Sequence, residues 1–204
     1  MMDADPIVYV VDDDEAVRKT LRLLLQSVQI AVEAYGSARE FLEAFDPTHA
    51  GCIVLDVRMP GMSGMELQEK LIADGVKTPI IIVTGHGDVP MAVKAVQRGA
   101  LDFIEKPFRE QILLDRIKQA LRKNAENRRG EAQVIEIQQR LDTLTPRERE
   151  VLDLVVSGKN TKQIAAQFGV SVQAVAAHRE RLMRKMGVES VAELVAKIIE
   201  NRAG

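Results

Sequence analysis

The stretch GCIVLDVRMPG, from Gly51 to Gly61, decides the fold of this chain. Its residues Cys52 to Leu55 form a short apolar run without alternation, which is typical of a β-strand buried on both faces. The run ends at Asp56, and the chain-breaking pair Pro60-Gly61 follows it. Because open α/β sheets bind ligands outside the carboxyl ends of their strands, Asp56 stands at a candidate ligand site. Taken alone, Asp56 is equally consistent with a solvated acid that ends a strand.

Four other segments also predict strands, and helical patterns alternate with all five. These segments are Ile7 to Val11, Ile30 to Ala34, Ile80 to Val83 and Leu101 to Ile104. Ser37 with Glu40, and Ser63 with Glu66, form capping boxes that begin two of the intervening helices. Five buried strands that alternate with helices predict an α/β domain with a five-stranded, doubly wound parallel sheet.

Polar residues follow several of these strands, and right-handed crossovers would bring all the strand ends to one edge of the sheet. At that edge we expect Asp12, Asp13, Asp56, Thr84 and Lys106. Carboxylates held together repel one another, and an all-oxygen cluster selects a hard cation such as Mg²⁺ or Mn²⁺. Asp56 could then accept a phosphoryl group, with Lys106 and the Thr84 hydroxyl contacting the phosphoryl oxygens. Each residue alone has an ordinary structural explanation, but the whole set at one edge favours this chemistry.

The composition is that of an ordinary globular protein. The 204 residues are 46% apolar and 28% charged, which suits one or two domains. The single cysteine, Cys52, excludes a disulfide within one chain, and the histidines His49, His86 and His178 are too dispersed to predict a zinc site. No apolar run is long enough to span a membrane, and the acidic N-terminus is unlike a signal peptide. We therefore expect a cytoplasmic protein with no membrane partner.

Charge is distributed unevenly along the chain. The net charge is −2; residues 1–140 contain 18 Lys and Arg against 22 Asp and Glu, and residues 141–204 contain 10 against 8. The acidic part suits a divalent cation, and the mildly basic part is compatible with nucleic acid. Neither imbalance is large enough to establish a partner by itself.

The last part of the chain predicts four short helices. Thr145 to Glu148 combine an N-cap, a proline at the first helical position and a capping-box glutamate. We expect Thr161 to cap a second helix, a tight turn at 169–171 to precede a third helix over Val172 to Met186, and Ser190 with Glu193 to cap a fourth. This order predicts a helix-turn-helix in a small all-α bundle.

The third of these helices has two different faces. Its predicted packing stripe consists of Val172, Val175, Leu182 and Met186. Its opposite face carries Gln173, Ala176, Ala177, Glu180, Arg181 and Arg184, with His178 and Arg179 nearby. Exposed alanines suit close approach to a major groove and its thymine methyl groups. A solvated face that uses alanine as a helix former explains them equally well from the residues alone.

The segment between the two predicted domains is polar and charged. Positions from Leu113 to Leu141 recur at alternating spacings of four and three, which is compatible with a helix carrying a weak coiled-coil seam. The middle positions of that seam are polar, and Gly130 disfavours helix. A flexible tether and a helical strut both fit, and of the two we favour the helix. We expect domains at residues 1–123 and 142–204, joined by a linker at 124–141.

The segments VVDDD, LDVRMPGMSG, VTGHGDVPMAV and GALDFIEKPF together resemble the receiver domains of response regulators of the FixJ and NarL type, which have a flavodoxin-like fold. The resemblance covers about residues 5–125. It implies that Asp56 is the phospho-acceptor, and that Asp13, Asp56 and the Arg58 carbonyl bind Mg²⁺ with assistance from Asp12. It also implies a switch pair, Thr84 and Phe103, and a cis Lys106–Pro107 peptide. Phe103 stands where many relatives have tyrosine, and a core aromatic ring is its alternative role.

The same resemblance implies a dimerisation face formed by the helix and strand over residues 89–104. Four residues are candidates for that face: Met91, Val93, Lys94 and Gln97.

Residues 141–204, which contain the stretch LTPREREVLDLVVSGKNTKQIAAQFGVS from Leu144 to Ser171, resemble the LuxR-type DNA-binding domain. The resemblance places Ala176, Ala177, His178, Arg179 and Glu180 toward bases, and Lys159, Thr161, Lys162 and Gln173 toward phosphates. Ala174 stands where threonine is common, and Ala176 stands where a polar or charged residue is common. These departures suggest fewer direct hydrogen bonds to DNA and an atypical binding site.

Together the two resemblances imply a two-component response regulator rather than a turnover enzyme, with at most slow self-dephosphorylation. A sensor histidine kinase would phosphorylate Asp56, and the resulting homodimer would bind promoter DNA and act on RNA polymerase. An Mg²⁺-dependent phosphohydrolase is one alternative, although the sequence offers no inserted lid or substrate loop. An interaction module whose helical part binds protein is the other, and salt-sensitive duplex binding would argue against it.

Overall fold

The computed structural model describes residues 5–85 and 89–203. The chain divides into two compact units, Met1–Arg128 and Arg129–Gly204. Residues 86–88, which include His86 and part of the predicted glycine-rich loop, lie outside the described residues. Within the described residues, no helix is both long and apolar enough to cross a membrane.

The first unit is the predicted α/β domain, with five parallel strands in the order β2-β1-β3-β4-β5. The strands are β1 (Ile7–Val11), β2 (Ala31–Tyr35), β3 (Gly51–Asp56), β4 (Ile80–Thr84) and β5 (Asp102–Glu105). The helices are α1 (Glu15–Ser27), α2 (Ala38–Ala44), α3 (Gly64–Ala73), α4 (Val89–Gln97) and α5 (Glu110–Asp142). The prediction of a doubly wound parallel sheet is confirmed.

Two apolar cores lie on the two faces of this sheet, because successive strand residues point to opposite sides. Ile53 and Leu55 belong to the core that includes α2, α3 and α4, whereas Cys52 and Val54 belong to the core that includes α1 and α5. All six residues of β3 are buried, as its apolar run predicts. The expectation of five buried strands is wrong for the two edge strands. In β2 two residues are exposed and none is buried, and in β5 only Ile104 is buried.

Helix α5 is a single helix of 33 residues that continues through the predicted linker. Gly130 lies within it, and a β-carbon at that position would meet no atom within 4 Å. Two hydrogen bonds attach α5 to the start of β3 and to the loop before it. The Gly51 N–H donates to Asn124 Oδ1 at 3.0 Å, and the Arg128 guanidinium donates to the Thr48 carbonyl.

The second unit contains four further helices around one apolar core, as predicted. These are α6 (Pro146–Val156), α7 (Thr161–Phe168), α8 (Val172–Met186) and α9 (Val191–Ala203). The N-cap of α7 is Asn160, which forms a capping box with Gln163, so the expectation that Thr161 is the cap is wrong. Val172 is also misplaced in the predicted packing stripe, because it is 43% exposed, while Val175, Leu182 and Met186 are buried.

Candidate functional site

The carboxyl edge of the sheet in the first unit brings two buried carboxylates onto one ammonium group. Lys106 Nζ donates to Asp12 Oδ2 at 2.7 Å and to Asp56 Oδ1 at 2.8 Å. Asp12 is 3% exposed and Asp56 is 6% exposed. Lys106 therefore neutralises one of two nearby negative charges, and the group of three retains a net charge of about −1.

Strand pairing places these residues together. Val11 is opposite Leu55 in the parallel pairing of β1 with β3. Asp12 and Asp56, the next residues along the two chains, therefore lie at the same level of the sheet. The Lys106 N–H donates to the Thr84 carbonyl at 2.8 Å and thereby joins the end of β5 to the end of β4. The Lys106–Pro107 peptide is cis, as the resemblance implies. Asp12 Oδ1 accepts from the Asp14 N–H at 2.9 Å, and Asp56 Oδ2 accepts from the Arg58 N–H at 2.7 Å.

Burial and hydrogen bonding together shift the pKa values of Asp12 and Lys106. Burial raises the pKa of Asp12, and the hydrogen bonds from Lys106 and from the Asp14 backbone offset that rise only in part. Burial disfavours the charge of Lys106, but its hydrogen bonds to Asp12 and Asp56 outweigh burial and raise its pKa. The raised pKa of Lys106 and the raised pKa of Asp12 are consistent with each other. Lys106 is hydrogen-bonded to two carboxylates, whereas Asp12 must share its one ammonium partner with Asp56.

The other predicted metal ligands occupy the rim of the same edge. Asp13 and Arg58 are exposed, and both follow strand ends that carry a buried carboxylate. Among the described residues, no three His, Cys, Asp or Glu side chains already form a group arranged to hold a metal ion. The ammonium of Lys106, rather than a third carboxylate, lies against both Asp12 and Asp56.

The predicted switch residues lie on neighbouring strands. Thr84 ends β4 and is 1% exposed, whereas Phe103 on β5 is half-buried and packs against the core that contains α4. On α4, the predicted dimerisation residues Val93, Lys94 and Gln97 are exposed, and Met91 is half-buried. Sequence reasoning missed Val96, which is 51% exposed on the same helix.

Gly64 is a further residue of this site that sequence reasoning missed. Its N–H donates to the Val57 carbonyl at 2.9 Å, and a β-carbon at Gly64 would lie 2.0 Å from the Asp56 carbonyl oxygen. Only glycine allows α3 to begin so close to the backbone of Asp56. The sequence shows only that Gly64 directly follows the capping serine, Ser63, and that position does not by itself reveal the close approach.

In the second unit, the predicted DNA contacts divide into free and engaged side chains. Lys159, Lys162, Gln173, Ala176 and Glu180 are exposed. Ala177 and Thr161 are half-exposed. Two longer side chains are engaged within the unit: Arg179 donates to Thr161 Oγ1 at 2.7 Å, and Arg181 is 3.0 Å from His178 Nδ1.

Glu148 holds α6 against α8, a role that its capping-box position alone does not reveal. Its side chain is 3% exposed, and its Oε2 accepts from Lys185 Nζ at 2.7 Å and from the Thr145 N–H at 2.9 Å. Arg181 Nε lies 3.7 Å from its other oxygen. These bonds, that from Lys185 first, lower the pKa of Glu148 to about 2.

Family comparisons agree with the two-unit structure. The model of the response regulator receiver domain matches residues 8–118, and that of the bacterial regulatory proteins of the luxR family matches residues 142–198. The chain belongs to the LuxR-type response regulators. It is therefore a two-component transcriptional regulator with a LuxR-type DNA-binding domain, and the family is not one of turnover enzymes. The family membership therefore argues against the alternative of an Mg²⁺-dependent phosphohydrolase.

This response regulator is similar to named relatives along nearly its whole length. It is 43% identical over 195 residues to the response regulator protein TmoT of Ectopseudomonas mendocina, covering 96% of the chain and 89% of TmoT. It is 45% identical over 188 residues to the transcriptional regulatory protein FixJ of Azorhizobium caulinodans, and the match covers 92% of the chain and 89% of that FixJ.

Among solved structures, that of the response regulator StyR superposes with a TM-score of 0.89. Its sequence is 47% identical, and the match covers 97% of this chain and 100% of the StyR chain. The structure of full-length FixJ from B. japonicum is 38% identical, with a TM-score of 0.61 and coverage of 98% and 99%.

Proposed function

We propose that Asp56 accepts a phosphoryl group from a partner histidine kinase and that this event controls dimerisation and promoter binding. The observation that carries the proposal is the shared ammonium: Lys106 contacts both Asp12 and Asp56 at the carboxyl edge of the sheet. A buried carboxylate with a cation already beside it is suited to nucleophilic attack, because new negative charge can be neutralised where it forms.

The donor set fits a hard divalent cation. Asp12 and Asp56 provide buried carboxylate oxygens, and the single ammonium of Lys106 does not compensate two anions. Asp12, Asp13, Asp56 and the Arg58 carbonyl would hold Mg²⁺, with Mn²⁺ as the alternative. When bound, the cation supplies charge neutralisation of the transferring phosphoryl group.

In the transfer step, an Asp56 carboxylate oxygen forms a bond to phosphorus while the phosphorus–nitrogen bond of the kinase phosphohistidine breaks. The histidine nitrogen keeps the electron pair and takes up a proton, and Asp56 becomes an acyl phosphate. Lys106 would pair with the phosphoryl oxygens, and the Thr84 hydroxyl would donate to one of them. Slow hydrolysis of the acyl phosphate by water would reset the protein.

The switch would pass from Thr84 to Phe103 and then to the face that includes α4 and β5. Met91, Val93, Lys94 and Gln97 are the candidate dimer contacts, and exposed Val96 adds apolar area to the same helix. Two helix-turn-helix units in a dimer then bind two half-sites with increased affinity through effective concentration. The residues of α7 and α8, with Lys159, that the LuxR-type resemblance places toward bases and phosphates would contact the DNA. RNA polymerase is the expected downstream partner.

The decisive experiment measures oligomeric mass and duplex binding together, with and without beryllofluoride plus Mg²⁺ as the phosphoryl mimic. Because the operator is unknown, binding is measured on DNA selected from a random pool. Wild type is compared with Asp56→Asn, and Glu126→Gln, an exposed acid on α5, is the control for loss of one charge.

We expect the mimic to produce dimers and tighter duplex binding in wild type and in Glu126→Gln, but not in Asp56→Asn. Equal DNA binding in every state would exclude Asp56 as the control point. Dimerisation by Asp56→Asn in response to the mimic would exclude it as the phospho-acceptor.

A further inference from the structure

The exposed face of α8 carries a carboxylate that nothing else in the described structure uses. Glu180 is exposed, and its side chain has no hydrogen-bond or ion-pair partner among the residues whose side chains the structure describes. Arg184, one turn later, is also exposed. Glu180 therefore stands on the helix face opposite the buried residues Val175, Leu182 and Met186.

Short side chains surround Glu180 on the side toward the start of the helix. Ala176, one turn earlier, is exposed, and Ala177 is half-exposed. The longer neighbours are held elsewhere, because Arg179 donates to Thr161 and Arg181 lies against His178 and Glu148. On this face Glu180 therefore has two methyl groups one turn earlier and the exposed cation Arg184 one turn later.

A carboxylate on a groove-facing helix is unfavourable unless a base satisfies it. The duplex carries one negative charge per about 1.7 Å of its axis, and those phosphates repel Glu180. The only hydrogen-bond donors that bases present in the major groove are the amino groups of cytosine and adenine.

The two amino groups differ in their neighbours. The adenine amino group lies between two acceptors, its own N7 and the thymine O4, and both repel a carboxylate. The cytosine amino group has an acceptor, guanine O6, on one side only. A lone carboxylate without a donor of its own therefore favours cytosine.

We propose that Glu180 is a specificity-determining residue that reads a cytosine in each DNA half-site, with a thymine methyl against Ala176 and Ala177. Four residues along a helix span about 6 Å, so the thymine lies within about two base pairs of the cytosine. This inference rests on the proposed function, because it requires α8 to enter the major groove.

The test is selection of a random duplex library by the full-length protein, with beryllofluoride and Mg²⁺ present throughout. Wild type, Glu180→Gln and Glu180→Ala are compared. The matched control is Glu189→Gln, an exposed acid of the same unit that lies beyond α8. Thermal unfolding of each variant verifies that the fold is retained.

Wild type and Glu189→Gln should select cytosine at one position of each half-site, and replacing that cytosine should weaken binding on the order of 10-fold. Glu180→Ala should lose the preference at that position alone. Glu180→Gln should change it to adenine, because an amide can donate to N7 and accept from N6.

Selection of a site without the cytosine, or retention of the cytosine by Glu180→Ala, would refute the inference while DNA binding stands. If wild type retained no duplex at all, the proposed DNA-binding function would fail and this inference with it.

Discussion

Replacing Lys106 by methionine removes the only charge that separates two buried carboxylates in the described part of the first unit. The variant loses two charge-assisted hydrogen bonds, of 2.7 and 2.8 Å, and leaves Asp12 and Asp56 buried together. Removing one partner of a buried ion pair costs about 3–5 kcal/mol. Because the Lys106 side chain is 22% exposed, we expect the lower end, about 3 kcal/mol.

The loss should depend on pH with a definite sign. A carboxyl whose pKa is higher in the folded than in the unfolded state destabilises the fold when it is ionised, and that cost disappears when both states are protonated. Burial already raises the pKa of Asp12, and removal of Lys106 raises it further. The deficit of Lys106→Met relative to wild type should therefore shrink as pH falls below neutrality.

Tyrosine fluorescence during urea unfolding reports this unit specifically. The chain has no tryptophan, and its two tyrosines, Tyr9 and Tyr35, both belong to the first unit. Measurements in the presence of a chelator exclude compensation by bound Mg²⁺. Lys118→Met, at an exposed position on α5, is the control and should change stability by less than about 0.5 kcal/mol.

Adding Asp12→Asn to Lys106→Met should recover part of the lost stability, because one of the two repelling charges is then absent. If Lys106→Met unfolded within about 0.5 kcal/mol of wild type at pH 7 and at pH 5.5, the shared ammonium would not stabilise this site, and the reasoning would be refuted.

Three further predictions concern Glu148, Asn124 and Gly64. Glu148→Gln should destabilise the second unit by about 1–2 kcal/mol at neutral pH, since its cations are partly solvated. Because the pKa of Glu148 is lowered to about 2, the difference from wild type should narrow as pH falls below about 4.5, as amide exchange in α6 would show. Asn124→Ala should cost about 1–3 kcal/mol by tyrosine fluorescence, because it leaves the buried Gly51 N–H without its acceptor. Gly64→Ala should cost about 2 kcal/mol or more and slow phosphorylation of Asp56, whose carbonyl the new methyl group would displace.

Each of these variants has a matched control in the chain. Glu189→Gln removes an exposed carboxylate of the second unit and should leave the pH profile unchanged. Asn127→Ala alters a half-buried asparagine one turn along α5, and an equal loss there would contradict the role given to Asn124. Gly130→Ala should be neutral or stabilising, since it adds a methyl group in open space within a helix; a loss as large as that of Gly64→Ala would contradict the steric argument.

The sequence was sufficient to predict the sheet because a strand that is buried on both faces consists of consecutive apolar residues. Cys52 to Leu55 could hardly be anything except a central strand, and Asp56 at its end fixed the ligand edge. The edge position of β2 was not predictable in the same way, because Val32 and Ala34 are apolar without being buried. Strand order is a property of long-range pairing, and no local pattern encodes it.

The details of each site depended on which side chains meet, and spacing does not determine that. Asn160 and Thr161 are both acceptable N-caps, and only the backbone shows that Asn160 holds the position. Periodicity could place Arg179 near the side of α8 that is proposed to face DNA but could not reveal its bond to Thr161. A glycine at a helix start has many uses, so the sequence alone does not show that Gly64 lies against the backbone of Asp56.

The shared ammonium also suggests why phosphorylation of Asp56 would be felt beyond the acidic edge. Lys106 is bonded through its backbone N–H to the Thr84 carbonyl, so the two groups proposed to meet the phosphoryl oxygens lie on hydrogen-bonded segments. Phosphorylation adds negative charge at Asp56 and would draw the Lys106 ammonium away from Asp12 toward the new oxygens. Because Phe103 belongs to the strand that leads into Lys106, a shift of this segment would change the packing of Phe103 beside α4. Lys106→Met should therefore uncouple phosphorylation from dimerisation even where Asp56 is still modified.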